Sequence, residues 1–209
     1  MTSAVQATPA TDHTELRHVL RAGAQLGVLQ SVLIGAFGLI QPRVEGAIEL
    51  VVCGAILVIG IAATIALPGI WTRARTIEGI SGAAGIGLFA TFVYLLIDVA
   101  LFQPLGVYTN RWLEIGGGSN WWYHPVWWMV GTYLPWMGAW VLANQTAKTG
   151  AQNPGALVIG TLVIAAVIMA AAAALGFPGA AFGLGTFSVA VMPALAVLVA
   201  VTSMGARRG

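Results

Sequence analysis

The stretch Val44–Trp71, VEGAIELVVCGAILVIGIAATIALPGIW, decides the fold. Beyond Glu49 it carries no charged side chain as far as Trp71. An α-helix rises about 1.5 Å per residue, so about 20 apolar residues cross the roughly 30 Å hydrocarbon core of a bilayer. A run of this length and composition reads as a membrane span.

Five similar runs surround it. Residues 23–40 form one, closed by Gln41-Pro42. Residues 77–103 form another, closed by Pro104. The remaining three are 125–144, with Pro135 in its middle; 155–175, opened by Asn153-Pro154; and 180–203, with Pro193 inside. Gly176-Phe177-Pro178-Gly179 reads as a tight turn between the last two. With residues 44–71 these make an all-α, polytopic transmembrane helix bundle of about six spans. The reading divides the chain into an N-terminal tail (1–22), a transmembrane domain (23–204) that includes an aromatic loop (104–124), and a C-terminal tail (205–209).

Composition agrees. Of 209 residues, 58% are hydrophobic and 8% charged, where a soluble domain carries about a quarter charged. Nine Lys and Arg against seven Asp and Glu leave a formal charge of +2. That excess is too small to suggest a nucleic-acid partner, and no basic stripe accompanies it. Cys53 is the single cysteine, so no disulfide within the chain is possible. Met1–Thr14 is polar and lacks a basic stretch followed by an apolar one, so the first apolar run reads as a retained span rather than a signal peptide.

The positive charges set the direction. With the N-terminus inside, Arg17, Arg21, Arg73, Arg75, Lys148, Arg207 and Arg208 fall on the cytoplasmic side. Only Arg43 and Arg111 fall outside. Cytoplasmic loops are enriched in Lys and Arg, so both termini are expected in the cytoplasm, and the membrane is read as the bacterial inner membrane. Residues Asp12–Arg21 are expected either as an amphipathic turn or two at the membrane surface, with Leu16, Val19 and Leu20 facing lipid, or as a frayed tail.

Small residues recur four apart: Gly79, Ala83 and Gly87; Gly23 and Gly27; Gly179 and Gly183. Such faces let helices approach closely in lipid. They suggest tight bundling, or association with other membrane subunits or with further copies of the chain.

The chemistry gathers on the predicted outer side. Residues 112–128, WLEIGGGSNWWYHPVWW, hold Trp112, Trp121, Trp122, Tyr123, Trp127 and Trp128. Indole favours the headgroup level, so these form an aromatic belt or a docking surface for a partner. His124 precedes Pro125 and is expected at the mouth of the fourth helix. His13 and His18 belong to the tail, so no two histidines are expected at one membrane depth, which argues against a bis-histidine haem.

Asp98 lies within the third run, in YLLIDVALF (residues 94–102). An ionisable group inside a bilayer is a functional candidate by default. Glu45 and Glu49 stand i, i+4 at the start of the second helix and share a face. Asp98, Glu49, Glu45 and His124 are therefore the candidates for an ion or proton site. Asp98, Glu49 and His124 would suit manganese, iron or zinc as metal ligands. No hydrolase motif is present, and no cofactor is specified.

Three functions fit. The first is a non-catalytic subunit of a larger or homo-oligomeric membrane assembly, docking through its aromatic outer surface. The second is a small transporter or channel component using the outer carboxylates for cation or proton coupling. The third is a metal-dependent membrane redox enzyme.

Overall fold

The computed structural model describes residues 12–107 and 123–205. Among them every regular element is helical. The main helices are α1 (Leu16–Ile40), α2 (Gly46–Trp71), α3 (Ile77–Ile97), α4 (Tyr123–Thr149), α5 (Pro154–Ala174) and α6 (Leu184–Ser203). A single 3-10 turn, Gln41–Arg43, follows α1, and a π turn, Asp98–Phe102, continues α3.

Five of these helices are long and apolar enough to cross a membrane. The sixth, α4, has 27 residues, or about 40 Å of rise, but carries Asn144, Gln145 and Lys148 near its end. The outward surfaces are apolar: Leu88, Phe92 and Leu96 on α3, and Ile159, Val163 and Val167 on α5, are all exposed. Rows of this kind at i, i+4, i+8 are a lipid-facing stripe, unstable in water. The protein is an integral, multi-pass membrane protein.

Successive helices run antiparallel. The start of α1, the α2–α3 connection, the α4–α5 connection and the end of α6 meet at one end. There His13 N donates to the Thr72 carbonyl at 2.9 Å. Gln152 Nε2 donates to the Ala74 carbonyl at 3.2 Å. Asn144 Nδ2 donates to Thr202 Oγ1 at 3.1 Å and Ser203 Oγ at 2.9 Å. The described basic residues of this end are Arg17, Arg21, Arg73, Arg75 and Lys148. Glu45, Glu49, Asp98 and His124 lie at the opposite end.

Helices α1, α3, α4 and α2 pack in that cyclic order, and the α5–α6 hairpin lies against α4 and α2. Its core joins Ile65, Leu134, Leu142, Leu157, Val191 and Leu195. Small residues set the close approaches. A Cβ on Gly27 of α1 would stand 2.6 Å from the Ala90 carbonyl of α3. A Cβ on Gly69 of α2 would stand 2.9 Å from the Ala139 Cα of α4. Two of the small-residue faces are thus consumed inside the chain: Gly23 and Gly27 pack on α3, and Gly87 packs on Gly131 and Pro135 of α4. A Cβ on Gly179 or Gly183 would meet nothing within 4 Å and both precede α6, so they form no helix-packing face.

Several boundaries differ from the sequence expectation. Helix α1 begins at Leu16 rather than residue 23, because Val19 already packs with Ala22, Leu26 and Ile86. Residues 16–21 are helical and continuous with α1, with Leu16 and Leu20 exposed and Val19 turned inward. Helix α4 runs on to Thr149, since Asn144 is buried against α6 rather than ending the span. Helix α6 starts at Leu184, beyond the turn at Gly179, whose φ is +78°. The rings of His13 and His18 meet edge to face at 5.9 Å at the basic end.

Candidate acidic site on the α3–α4 pair

Helices α3 and α4 meet along a ladder of facing residues. Its lowest rung is Gly87, whose Cβ position falls on the Gly131 carbonyl and on Pro135. One turn up, the Cβ position of Gly131 falls on Thr91 Oγ1. The Thr91 hydroxyl donates to its own helix, to the Gly87 carbonyl at 2.9 Å, and so brings no unmet polar group to the contact. The third rung is aromatic: Tyr94 and Trp127 meet edge to face with centroids 5.1 Å apart.

The next rung follows from helix geometry. Asp98 stands four residues beyond Tyr94 on α3. His124 stands three residues before Trp127 on the antiparallel α4. Residues three and four apart share a helix face, so Asp98 and His124 occupy one level, a turn above the aromatic pair. Asp98 is fully buried and His124 half-buried. His124 lies within the first turn of α4, which begins at Tyr123, rather than ahead of it. Pro125 fits there because the first turn has no intrahelical partners for its N–H groups.

Asp98 opens the π turn. Gln103 N donates to the Asp98 carbonyl at 2.9 Å, and Gln103 Nε2 donates to Asp98 Oδ2 at 2.8 Å. A buried carboxylate of this kind needs donors, because an uncompensated charge in a low dielectric costs several kcal/mol or more (about). Gln103 and Tyr94 carry weight at this site that the sequence did not flag. The i, i+4 spacing of Tyr94 and Asp98 was a readable signal; the π turn that brings Gln103 round was not.

The other candidates are held elsewhere. Glu49 accepts from Gln41 Nε2 at 3.1 Å, across the α1–α2 connection. Glu45 is exposed just ahead of α2. The Arg43 guanidinium donates to the Leu39 carbonyl. Among the described residues no three His, Cys, Asp or Glu side chains gather to hold a metal ion. Asp98, Glu49 and His124 therefore do not form the metal-ligating trio the sequence suggested. Trp112, Trp121 and Trp122 lie outside the described residues, and Tyr123 enters only as the first residue of α4. Trp127 and Trp128 are half-buried on the opening turns of that helix.

No protein-family model matches the chain, and neither a curated protein nor a solved structure matches it.

Proposed function

We propose that the protein is a small transporter or channel component that binds a proton or a cation at Asp98, with His124 facing it from α4. The observation that carries this reading is the complete burial of Asp98 on the α3 face that packs against α4. A carboxylate at such depth is costly to the fold, and its commonest use in a membrane is an ion or proton pathway. Gln103 supplies one donor to the charged form.

The basic end faces the cytoplasm on this reading and the Asp98 end faces outward, in a bacterial inner membrane. Support comes from the positive charges, which collect at the end where α1 starts and α6 finishes.

The test is flux in proteoliposomes driven by a proton or sodium gradient. Wild-type protein is expected to carry one of the two, and Asp98→Asn is expected to lose it while inserting normally. Undiminished flux in Asp98→Asn rejects the role of Asp98.

A second reading is a subunit that docks through its aromatic outer end. Trp127 and Trp128, on the opening turns of α4, favour it. It predicts a particle in mild detergent well above the 21.6 kDa of one chain. A clean monomer by native mass spectrometry rejects it. The small-residue faces lend it nothing, since two of them are spent on packing within the chain.

A further inference from the structure

We propose that Asp98–Phe102 is a two-register turn, held in its π form by the Gln103–Asp98 hydrogen bond, through which neutralising Asp98 is felt at α1. This rests on the reading of Asp98 as a proton or cation site.

The π turn is the one such element among the described residues. Single π turns inside α-helices are uncommon and recur at functional sites. Here the turn does something an α-helix cannot. At 3.6 residues per turn, side chains five apart point about 140° away from each other. Asp98 and Gln103 are five apart, yet Gln103 Nε2 reaches Asp98 Oδ2 at 2.8 Å. The added residue in the turn brings them to one face. The same register closes the backbone bond Gln103 N to the Asp98 carbonyl at 2.9 Å, and the helix then ends in a glycine cap, Gly106 N donating to the Gln103 carbonyl and Val107 N to the Phe102 carbonyl.

The far end of the turn touches a second helix. The ring of Phe102 lies over Gly35 of α1, where a Cβ would stand 3.0 Å from its Cζ. Reverting to α register removes one residue from the turn and rotates Phe102 by about 100°. The ring then leaves Gly35. The side-chain bond at one end and the ring contact at the other are therefore two readings of one backbone state.

Charge decides the balance between them. A hydrogen bond to a carboxylate is roughly twice as strong as one to a neutral acceptor. A proton or cation on Asp98 weakens its hold on Gln103 and so favours the α register. The titratable group facing Asp98 from α4 is His124. Helix α1 presents none between Arg21 and Arg43. At the α1–α2 connection Arg43 is engaged by the Leu39 carbonyl and Glu49 by Gln41, while Glu45 is exposed.

The experiment is amide hydrogen exchange on the full chain in lipid nanodiscs, read over residues 99–107, with α5 as the control for global folding. Gln103→Leu, or Gln103→Met should the first fold poorly, is expected to exchange roughly tenfold or more faster over this segment. Asp98→Asn, which keeps an acceptor but loses the charge, is expected to shift the same way by less. Gly35→Ala is expected to speed it too, by pressing a methyl on Phe102. Wild-type exchange in both Gln103 variants overturns the two-register turn. Wild-type exchange in Asp98→Asn overturns its dependence on charge, and in Gly35→Ala its link to α1. Faster exchange in Asp98→Asn alongside undiminished flux keeps the turn and rejects the transport reading.

Discussion

Tyr94 of α3 and Trp127 of α4 meet edge to face with centroids 5.1 Å apart, and this contact fixes the register of the two helices at their acidic end. One turn below it, Thr91 abuts Gly131. One turn above it come Asp98 and His124. Helix spacing from the aromatic pair puts the buried acid and the histidine at one level.

The Thr91–Gly131 contact yields the first prediction. Gly131→Ala drives a methyl into the Thr91 hydroxyl and is expected to cost about 1–3 kcal/mol, as overpacking does. Gly185, in the first turn of α6, has nothing within 4 Å of its Cβ position. Gly185→Ala is expected to leave the protein as stable, or slightly more so, because alanine favours the helix. Thermal unfolding in detergent measures both. Equal midpoints for the two variants would remove the close α3–α4 approach from the account.

A second prediction concerns the basic end. Asp12 Oδ2 accepts from Thr76 N at 3.0 Å, Gly79 N at 3.1 Å and Thr76 Oγ1 at 2.6 Å. A residue outside α3 thereby caps its first turn, and the carboxylate also meets the positive end of the helix dipole. Asp12→Ala is expected to cost about 0.5–2 kcal/mol. Gly79→Ala puts a Cβ on that same carboxylate and is expected to cost as much by displacing it. The two share one contact, so the double variant should fall short of the sum. Strict additivity in a denaturant series would show that Asp12 does not cap α3.

The sequence carried the helix count and the antiparallel order, because 20-residue apolar runs and the placement of Arg and Lys are local signals; five of the six helices are long and apolar enough to span. Asp98 stood out for the same reason: one charge in an apolar run is visible without any neighbour. The partners were harder. Nothing in the order of residues shows that Gln103 turns back onto Asp98, since that depends on one extra residue in a helical turn. The Gly79, Ala83 and Gly87 face was legible as a packing face, but its partners were not: Gly87 meets Gly131 and Pro135 of α4, while Gly79 meets Asp12 and Ala74. Glu49 looked like a member of the acidic cluster until Gln41, a residue of the adjoining turn, proved to hold it.

Direction across the membrane gives a third prediction. Cys53 is the only cysteine and is fully buried, so Cys53→Ser supplies a quiet background. In intact cells a membrane-impermeant maleimide is expected to label Glu45→Cys and to leave Lys148→Cys untouched until the membrane is permeabilised. The reverse pattern would invert the topology and place the Asp98 end in the cytoplasm.

The shared level of Asp98 and His124 is the claim from which the functional reading follows, and cross-linking tests it most directly. In the Cys53→Ser background, Asp98→Cys paired with His124→Cys is expected to be bridged by a short bis-thiol reagent. Tyr94→Cys paired with Trp127→Cys should be bridged as well, since those rings are already in contact. Bridging of the aromatic pair without bridging of the Asp98 and His124 pair would contradict the account, for the acid and the histidine would then not face each other across α3 and α4.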